Sequence, residues 1–580
     1  MPEQKRCNSC GEINNADALR CSECGHMLSS STVLLPNNSK VITDSSQKVN
    51  IVPPPAPVNP PSRFTVVNKK TTWWIVGGCV ILIVLVFTLL ILPRLANPGP
   101  QPITTLPPLP NGLGVVIAPN GENVGVNDGA FPPFDIGRAD SDLKRQAVQA
   151  LRDGNAQEAI ALWSQGLEKD TNDAEALIYI ENQKAVAFNH VTLIVGLDFQ
   201  QPFPDTAAQS TLQGAYIAQK EFNDSHNIKL RLLIANTGGE LDYIRPVAQQ
   251  IGHIASQDPS VVGILGWQTS ARTENVLDSL RKTGTHIPIV SQKATASKLT
   301  GVSPYFFRIV PSNEVQAPVA AKMANMLQAT QVVVFVDPNN LYSQDLAQDF
   351  KQQFTATNHR ILPDENFTSG KTTAASFSKS LRTALKNTPD PSHVVILFAG
   401  ITTYDAEQFQ DALGAFPKLL VISGDGGYAA RPNSYGRWYF VSVAYHDEWS
   451  ALTGNRPPPF FQEYDDAFDP THQSPGDYGR GLPNDTAIVS YDAAKVLSRG
   501  IEDALKGTTK LTPQALTDAL TQITVDHPFQ GISGQIAFDA NHDPIDKAFV
   551  ILRVDDKGYI KMFCVGGHFS NSSDGSLPKC

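Results

Sequence analysis

The sequence predicts an α/β protein built from two doubly wound lobes, preceded by a small metal-binding ribbon, one transmembrane helix and a helical hairpin. Three observations carry that expectation. From His190 onward, apolar strands alternate with amphipathic helices; two CxxC pairs open the chain; and residues 73–92 read WWIVGGCVILIVLVFTLLIL, twenty positions without a charge. At 580 residues the chain is too long for one domain. Its formal charge of -10 is uneven: residues 1–70 hold eight Lys/Arg against five Asp/Glu, a net of +3, which leaves -13 for the rest. So acidic a remainder argues against nucleic acid as a partner. Seven cysteines in this length do not make a disulfide scaffold.

The first element spans residues 1–28. CNSCGEINNADALRCSECG places Cys7, Cys10, Cys21 and Cys24 as two CxxC pairs, four thiolates for one tetrahedral Zn²⁺. Gly11 and Gly25 follow each pair, where backbone N–H groups can turn toward sulfur. Twenty-odd residues build no core, so metal would supply the folding energy. The segment resembles the short zinc ribbons at the N-termini of many bacterial membrane proteins, with zinc in a structural role. A redox pair is the other reading, but a βαβ context is missing. Residues 29–70, with PPPAPVNPP at 53–61, form a proline-rich spacer.

Residues 71–93 are the expected span. Twenty apolar residues rise roughly 30 Å as a helix, the thickness of the hydrocarbon core. Trp73 and Trp74 suit one headgroup region. Arg63, Lys69 and Lys70 precede the segment and only Arg94 follows closely, so the N-terminus belongs in the cytoplasm and the rest outside. Such a stretch, beginning after seventy residues, is not a cleaved signal peptide. Residues 94–140 mix Pro, Gly and Asn and read as a second, outer linker.

Helix begins at Ser141. Ala159, Trp163, Gly166 and Thr171 stand at offsets 0, 4, 7 and 12, a pattern that resembles the second helix of a tetratricopeptide repeat, with Gly and Thr in place of the usual Ala and Pro. The likeness covers one repeat (141–187), whereas solenoids need about three. A helical hairpin packed on a neighbour and a plain helical stalk both fit.

The large domain is expected over 190–567, with 568–580 as a tail. VTLIVGL (191–197), LRLLIAN (230–236), VVGILG (261–266) and PIVS (288–291) form one run of strands; QVVVFV (331–336), VVILFAG (394–400) and LLVIS (419–423) form another. Continuous apolar strands separated by helices mean parallel sheets covered on both faces. A break near 312 divides them into two lobes, whose strand tips would face a shared cleft.

GWQTSART (266–273), SQKATASKLT (291–300), YFFRIVPS (305–312), LYSQDLAQDF (341–350) and ISGDGG (422–427) follow one another in the order and spacing of type I periplasmic binding proteins. The chain most resembles the leucine/isoleucine/valine-binding receptors of amino-acid importers. The resemblance implies two lobes joined by three crossovers, and a ligand trapped by hinge closure. It also implies site residues. Thr269 and Ser270 would receive a carboxylate at a helix N-terminus, and Ala294 and Thr295 would add a carbonyl or hydroxyl. Asp425 would take an ammonium, and Tyr342 would close over the ligand. Asp425 is shorter than the family's usual glutamate, while Lys293 and Arg272 bring two extra cations toward the mouth; these favour an anionic ligand or face solvent. The irregular stretch 454–484 is an inserted loop that could lie over the cleft.

FDANHDPIDK (538–547) sets Asp539, Asn541 and Asp543 at alternate positions but lacks the glycine and glutamate of a calcium loop; it reads as a turn. Cys564 and Cys580 can pair or stay free. No G-x-S-x-G, HExxH or Walker sequence is present, so no enzyme is expected. The expected function is a membrane-anchored extracytoplasmic receptor that traps a small polar ligand, an amino acid first, for an ABC-type importer and its permease. A sensor signalling through the ribbon, or a scaffold using the fold without a ligand, are the alternatives.

Overall fold

The computed structural model describes residues 4–6, 13–15, 105–200, 206–355, 359–388, 390–427, 429–442, 457–507, 510–567 and 579–580. The four ribbon cysteines and the apolar stretch 73–92 lie outside the described residues. Among those described, no helix is long and apolar enough to cross a membrane. The chain divides into two compact units, Met1–Gly99 and Pro100–Cys580. In the first, β1 (Gln4–Arg6) pairs antiparallel with β2 (Ile13–Asn15), Arg6 opposite Ile13.

The second unit starts earlier than expected. Within the segment read as an outer linker, β3 (Gly114–Ile117) and β4 (Asn123–Asn127) form a hairpin on the first lobe's sheet. Val124 and Val126 are fully buried there. The strands are short and flanked by Gly and Pro, which hid their alternation.

Three helices follow where a pair was expected: α1 (Ser141–Arg152), α2 (Ala156–Leu167) and α3 (Ala174–Ala185). They are part of the first lobe rather than a stalk. Trp163 is fully buried with Tyr179, ring centroids 5.6 Å apart. Asn182 Nδ2 donates to the Leu232 carbonyl at 2.7 Å. A buried ionic cluster fixes the layer: Lys144 Nζ meets Asp173 at 2.7 Å and Glu175 at 3.0 Å, and Arg138 meets Asp170 at 2.6 Å. Burial, then the neighbouring Asp173 charge, pushes the Asp140 carboxyl up to about 7.

The lobe continues with β5 (His190–Leu197), α4 (Thr206–Ser225), β6 (Lys229–Asn236), α5 (Ile244–Gln257), β7 (Val261–Leu265), α6 (Ser270–Lys282), β8 (Ile289–Ser291) and β9 (Phe306–Arg308). Its sheet order is β3-β4-β6-β5-β7-β8-β9. The last five strands are parallel, and the β3–β4 hairpin is antiparallel.

The chain then crosses to the second lobe through α7 (Asn313–Met326), β10 (Gln331–Val336), α8 (Leu341–Thr355), β11 (Arg360–Ile361), β12 (Glu365–Asn366), α9 (Ala374–Ala384), β13 (Val394–Phe398), α10 (Thr403–Ala412), β14 (Leu420–Ser423) and β15 (Trp438–Ser442). It returns to the first lobe as α11 (Pro459–Phe468), α12 (Asp485–Gly507) and α13 (Pro513–Leu520). After the hairpin β16 (Phe529–Gly531) and β17 (Gly534–Ile536), it re-enters the second lobe as β18 (Phe549–Val554) and β19 (Ile560–Gly566). The second sheet runs β11-β10-β13-β14-β15-β18-β19, parallel up to β15 and antiparallel beyond it. In each lobe the first parallel strand (β5 or β10) lies between the second and third, so both have the doubly wound switch point next to it.

The inserted stretch 454–484 is not a bare loop. Its α11 packs on α4, with Tyr464 Oη donating to Gln213 at 2.6 Å and Phe468 edge-on to Tyr216. Beside it, α4 and α12 approach so closely that a Cβ at Gly214 would lie 2.2 Å from the Ala487 carbonyl oxygen. Cys564 and Cys580 form a disulfide, and the tail bridges back to β19 between Lys579 and Val565. Such a bond belongs to an oxidising compartment.

Candidate ligand-binding site

The carboxyl tips of β7 and β8 gather the first lobe's candidates. β7 ends at Leu265, and α6 starts at Ser270 with Thr269 in extended conformation before it. Thr269 makes no side-chain capping bond, so the first backbone N–H groups of α6 are left for another acceptor. Ser270 Oγ accepts from the Ala296 amide at 3.1 Å, and Ser291 Oγ accepts from the Ala294 amide at 3.1 Å. The 294–296 loop is thereby tied to both strand tips.

Arg308, fully buried, holds the same loop from below. Its Nη1 donates to the carbonyls of Ala294 at 3.3 Å and Ala296 at 2.7 Å, while Nε and Nη2 each lie 2.6 Å from the two Asp543 oxygens. The Ala294 carbonyl, one of the expected ligand contacts, thus already accepts from the protein's own Arg308. The Thr295 carbonyl is taken too, accepting from the Asn313 amide at 2.7 Å. The Thr295 hydroxyl, by contrast, is buried and has no hydrogen-bond partner among the described residues. Asp543 also confirms the 538–547 stretch as a turn: Asp539 accepts from the amides of Asn541 and Asp543 at 2.8 and 2.9 Å.

In the second lobe, Tyr342 stands in the first turn of α8 and Asp425 in a short turn after β14. The Tyr342 hydroxyl accepts from the Gly426 amide at 3.4 Å and stands close enough to the Asp425 carboxylate to favour its charged form. Glycine is required between strand and carboxylate, since a Cβ at Gly424 would lie 2.1 Å from that hydroxyl. One carboxylate oxygen, Asp425 Oδ1, is buried without a partner. Burial pushes the Asp425 carboxyl above its ordinary range, and Lys293 and Tyr342 only partly pull it back.

The two sets meet across the lobes. Ser297 Oγ donates to Asp349 at 2.7 Å and its amide to Asp345, both on α8, and Asn313 Nδ2 reaches the Tyr342 carbonyl at 3.4 Å. Lys293 projects from the loop after β8. Its Nζ lies 2.8 Å from Asp485 Oδ2 and 3.3 Å from Thr486 Oγ1, at the start of α12. Burial works against that ammonium, but Asp485 and then Asp425 outweigh it and raise its pKa. Neither extra cation is left facing solvent. Arg272 is buried against Asp198 at 3.0 Å and bonds Thr237 and the Gly239 carbonyl. Asp485 was not anticipated: it lies 192 residues from Lys293 in sequence, and only its place at a helix start, where acids are favoured, marked it.

A separate hollow of about 900 Å³ is lined by Leu106–Asn111, α5 and residues 283–287. It sits at the opposite end of the first sheet, away from these strand tips, and contains none of the candidates.

A family profile described as periplasmic binding protein matches residues 197–559. No curated protein matches the sequence. Among solved structures, the leucine binding protein LivK from Thermotoga maritima is 22% identical with a TM-score of 0.53, covering 65% of this chain and 99% of its own. The branched-chain amino acid transporter substrate binding protein LivJ from Streptococcus pneumoniae, solved with isoleucine, is 20% identical with a TM-score of 0.50, again covering 65% and 99%. An ABC transporter substrate-binding protein from Sphaerobacter thermophilus is 18% identical with a TM-score of 0.51, covering 67% and 100%. At these identities the likeness is one of fold.

Proposed function

The chain belongs to the periplasmic binding protein family, a class that binds solutes and is not enzymatic, and from that premise we propose that it is an extracytoplasmic amino-acid receptor serving an ABC-type importer. The observation that carries this reading is a pair of buried, unsatisfied oxygens on facing lobes, Thr295 Oγ1 and Asp425 Oδ1. Buried polar atoms cost free energy until they are paired, and an α-amino acid supplies what each lacks. Its ammonium donates to Asp425 Oδ1. Its carboxylate accepts from Thr295, from Thr269 and from the open amides at the start of α6, where the helix dipole favours an anion. Charge agrees: Lys293 and Asp485 cancel, which leaves Asp425 as one net negative charge for the ammonium to neutralise. Tyr342 holds the turn that carries Asp425 through the Gly426 amide and covers the ligand from the second lobe. Closure of the lobes then presents a permease with a shape that only the loaded protein holds.

The N-terminal unit fits an anchored version of this receptor. The β1–β2 hairpin is joined by residues 7–12, which include Cys7 and Cys10, the connection in which a zinc ribbon carries a ligand pair. Cys21 and Cys24 would complete the tetrahedron, with residues 73–92 as the single span between cytoplasmic ribbon and outer receptor.

Calorimetric titration of the full chain with the twenty amino acids tests the reading. At least one binds, and Asp425→Asn weakens it about 100-fold, as expected for loss of a buried charge-assisted hydrogen bond. If no amino acid binds, the reading fails.

A further inference from the structure

The Lys293–Asp485 pair carries information about the ligand's side chain. We propose that Lys293 is a specificity-determining residue that selects an amino acid whose side chain presents an uncharged hydrogen-bond acceptor, an amide or a hydroxyl, over an aliphatic one. This rests on the amino-acid reading above and narrows it.

Lys293 follows β8 in the loop that carries Ala294 and Thr295, so it belongs to the same strand-tip cluster as the proposed carboxylate subsite. An ammonium has three N–H donors. Among the described residues its hydrogen-bond partners are Asp485 Oδ2 and Thr486 Oγ1, which leaves one donor unspent. The side chain is 17% exposed and that of Asp485 16%, so the pair is largely but not wholly withdrawn from water. Lys293 directly precedes Ala294 and Thr295 in that loop, and the Asp425 charge of the opposite lobe helps to raise its pKa, so the pair belongs to the neighbourhood of the ammonium subsite.

A leucine or isoleucine side chain closing on this pair would strip its remaining water and return no hydrogen bond, and a buried donor left unmade is costly. An amide or hydroxyl oxygen takes the spare N–H. Charge decides between an amide and a carboxylate. Asp485 already neutralises Lys293, and Asp425 is matched by the ligand ammonium, so a side-chain carboxylate would enter as an uncompensated second anion beside Asp485. The neutral acceptor fits.

The experiment titrates the full chain with glutamine, asparagine, threonine, glutamate and leucine, using wild type, Lys293→Met and the double variant Lys293→Met/Asp485→Asn. The double variant leaves no carboxylate stranded and guards against misfolding of the single one. Wild type is expected to bind its best amide or hydroxyl amino acid at least about tenfold more tightly than leucine or glutamate. In the double variant that order reverses in favour of leucine. Tighter binding of leucine or glutamate by wild type, or an unchanged order in the double variant, overturns the proposal while the receptor reading stands. If none of the five binds but another amino acid does, the proposal also falls; if no amino acid binds at all, both fall.

Discussion

Asp425 gives the site a pH dependence whose sign follows from its surroundings. Burial raises its carboxyl above the ordinary range, so on acidification the empty protein takes up a proton there before an exposed carboxylate would. Ligand ammonium requires the charged form. Affinity is therefore expected to fall as pH drops through that raised value, and to stay flat above it up to the range where the ligand amine itself deprotonates. Titrations across pH 4 to 8 check this, and Asp425→Asn must lose the acid-side decline together with most of its affinity. At this scale the sequence was partly informative. Thr269, Ser270, Thr295, Tyr342 and Asp425 rest on the family resemblance, and the sequence pattern adds only that each stands after an apolar run that reads as a strand or opens the next helix. Lys293 was visible as a departure, but its partner was not, because ion pairing between residues so far apart depends on which strand tips the fold brings together. The bond from Arg308 to the Ala294 carbonyl was hidden for the same reason: nothing local marks that oxygen as its acceptor.

Among elements, the loop 294–299 is the one on which the site depends, and its conformation is imposed from outside. Arg308 reaches it from β9 and is itself gripped by both oxygens of Asp543. Truncating one partner of a buried ion pair strands the other. Arg308→Ala is expected to lower unfolding stability by about 3–5 kcal/mol and to weaken ligand binding, while Arg308→Lys recovers only part of both because lysine cannot bond two oxygens in a fork. Urea unfolding and titration of the two variants measure the effects. Strands 190–197, 229–236, 261–265, 331–336, 394–398 and 420–423 were legible because fully buried parallel strands are unbroken apolar runs. β3 and β4 were not, being a short hairpin at one end of the sheet, among prolines and glycines. The third helix of the N-terminal layer was missed because α3 has polar residues on its buried face: Glu175, Glu181 and Asn182 are all buried, which blurs the amphipathic pattern that marks a helix.

For the whole molecule, the reading joins a receptor to an anchored ribbon, and the two units can be tested separately. The full chain is expected to hold one zinc per protein, lost in Cys7→Ser, with amino-acid binding unchanged by that substitution or by chelation. In intact cells, protease added from outside is expected to degrade residues 105–580 and spare residues 1–70. Release of both parts, or protection of both, would remove the span. The expected ribbon, spacer and span rest on compositional signals alone: paired cysteines, proline runs and charge-free length, which need no tertiary context. The lobe boundary near 312 was legible for a related reason, since the strand–helix cycle lapses there and then resumes.

The Arg308–Asp543 fork has one mechanical consequence. Arg308 grasps the floor of the pocket and also sits immediately before the first connection between lobes, while Asp543 lies in the last. The floor is thus bolted to the pivot, and swinging the far lobe away leaves the near half of the pocket undeformed. Escape of a guest becomes a question of how often that lobe departs, so loosening the pivot elsewhere will shorten residence time while the grip of the near half on its carboxylate stays as it was.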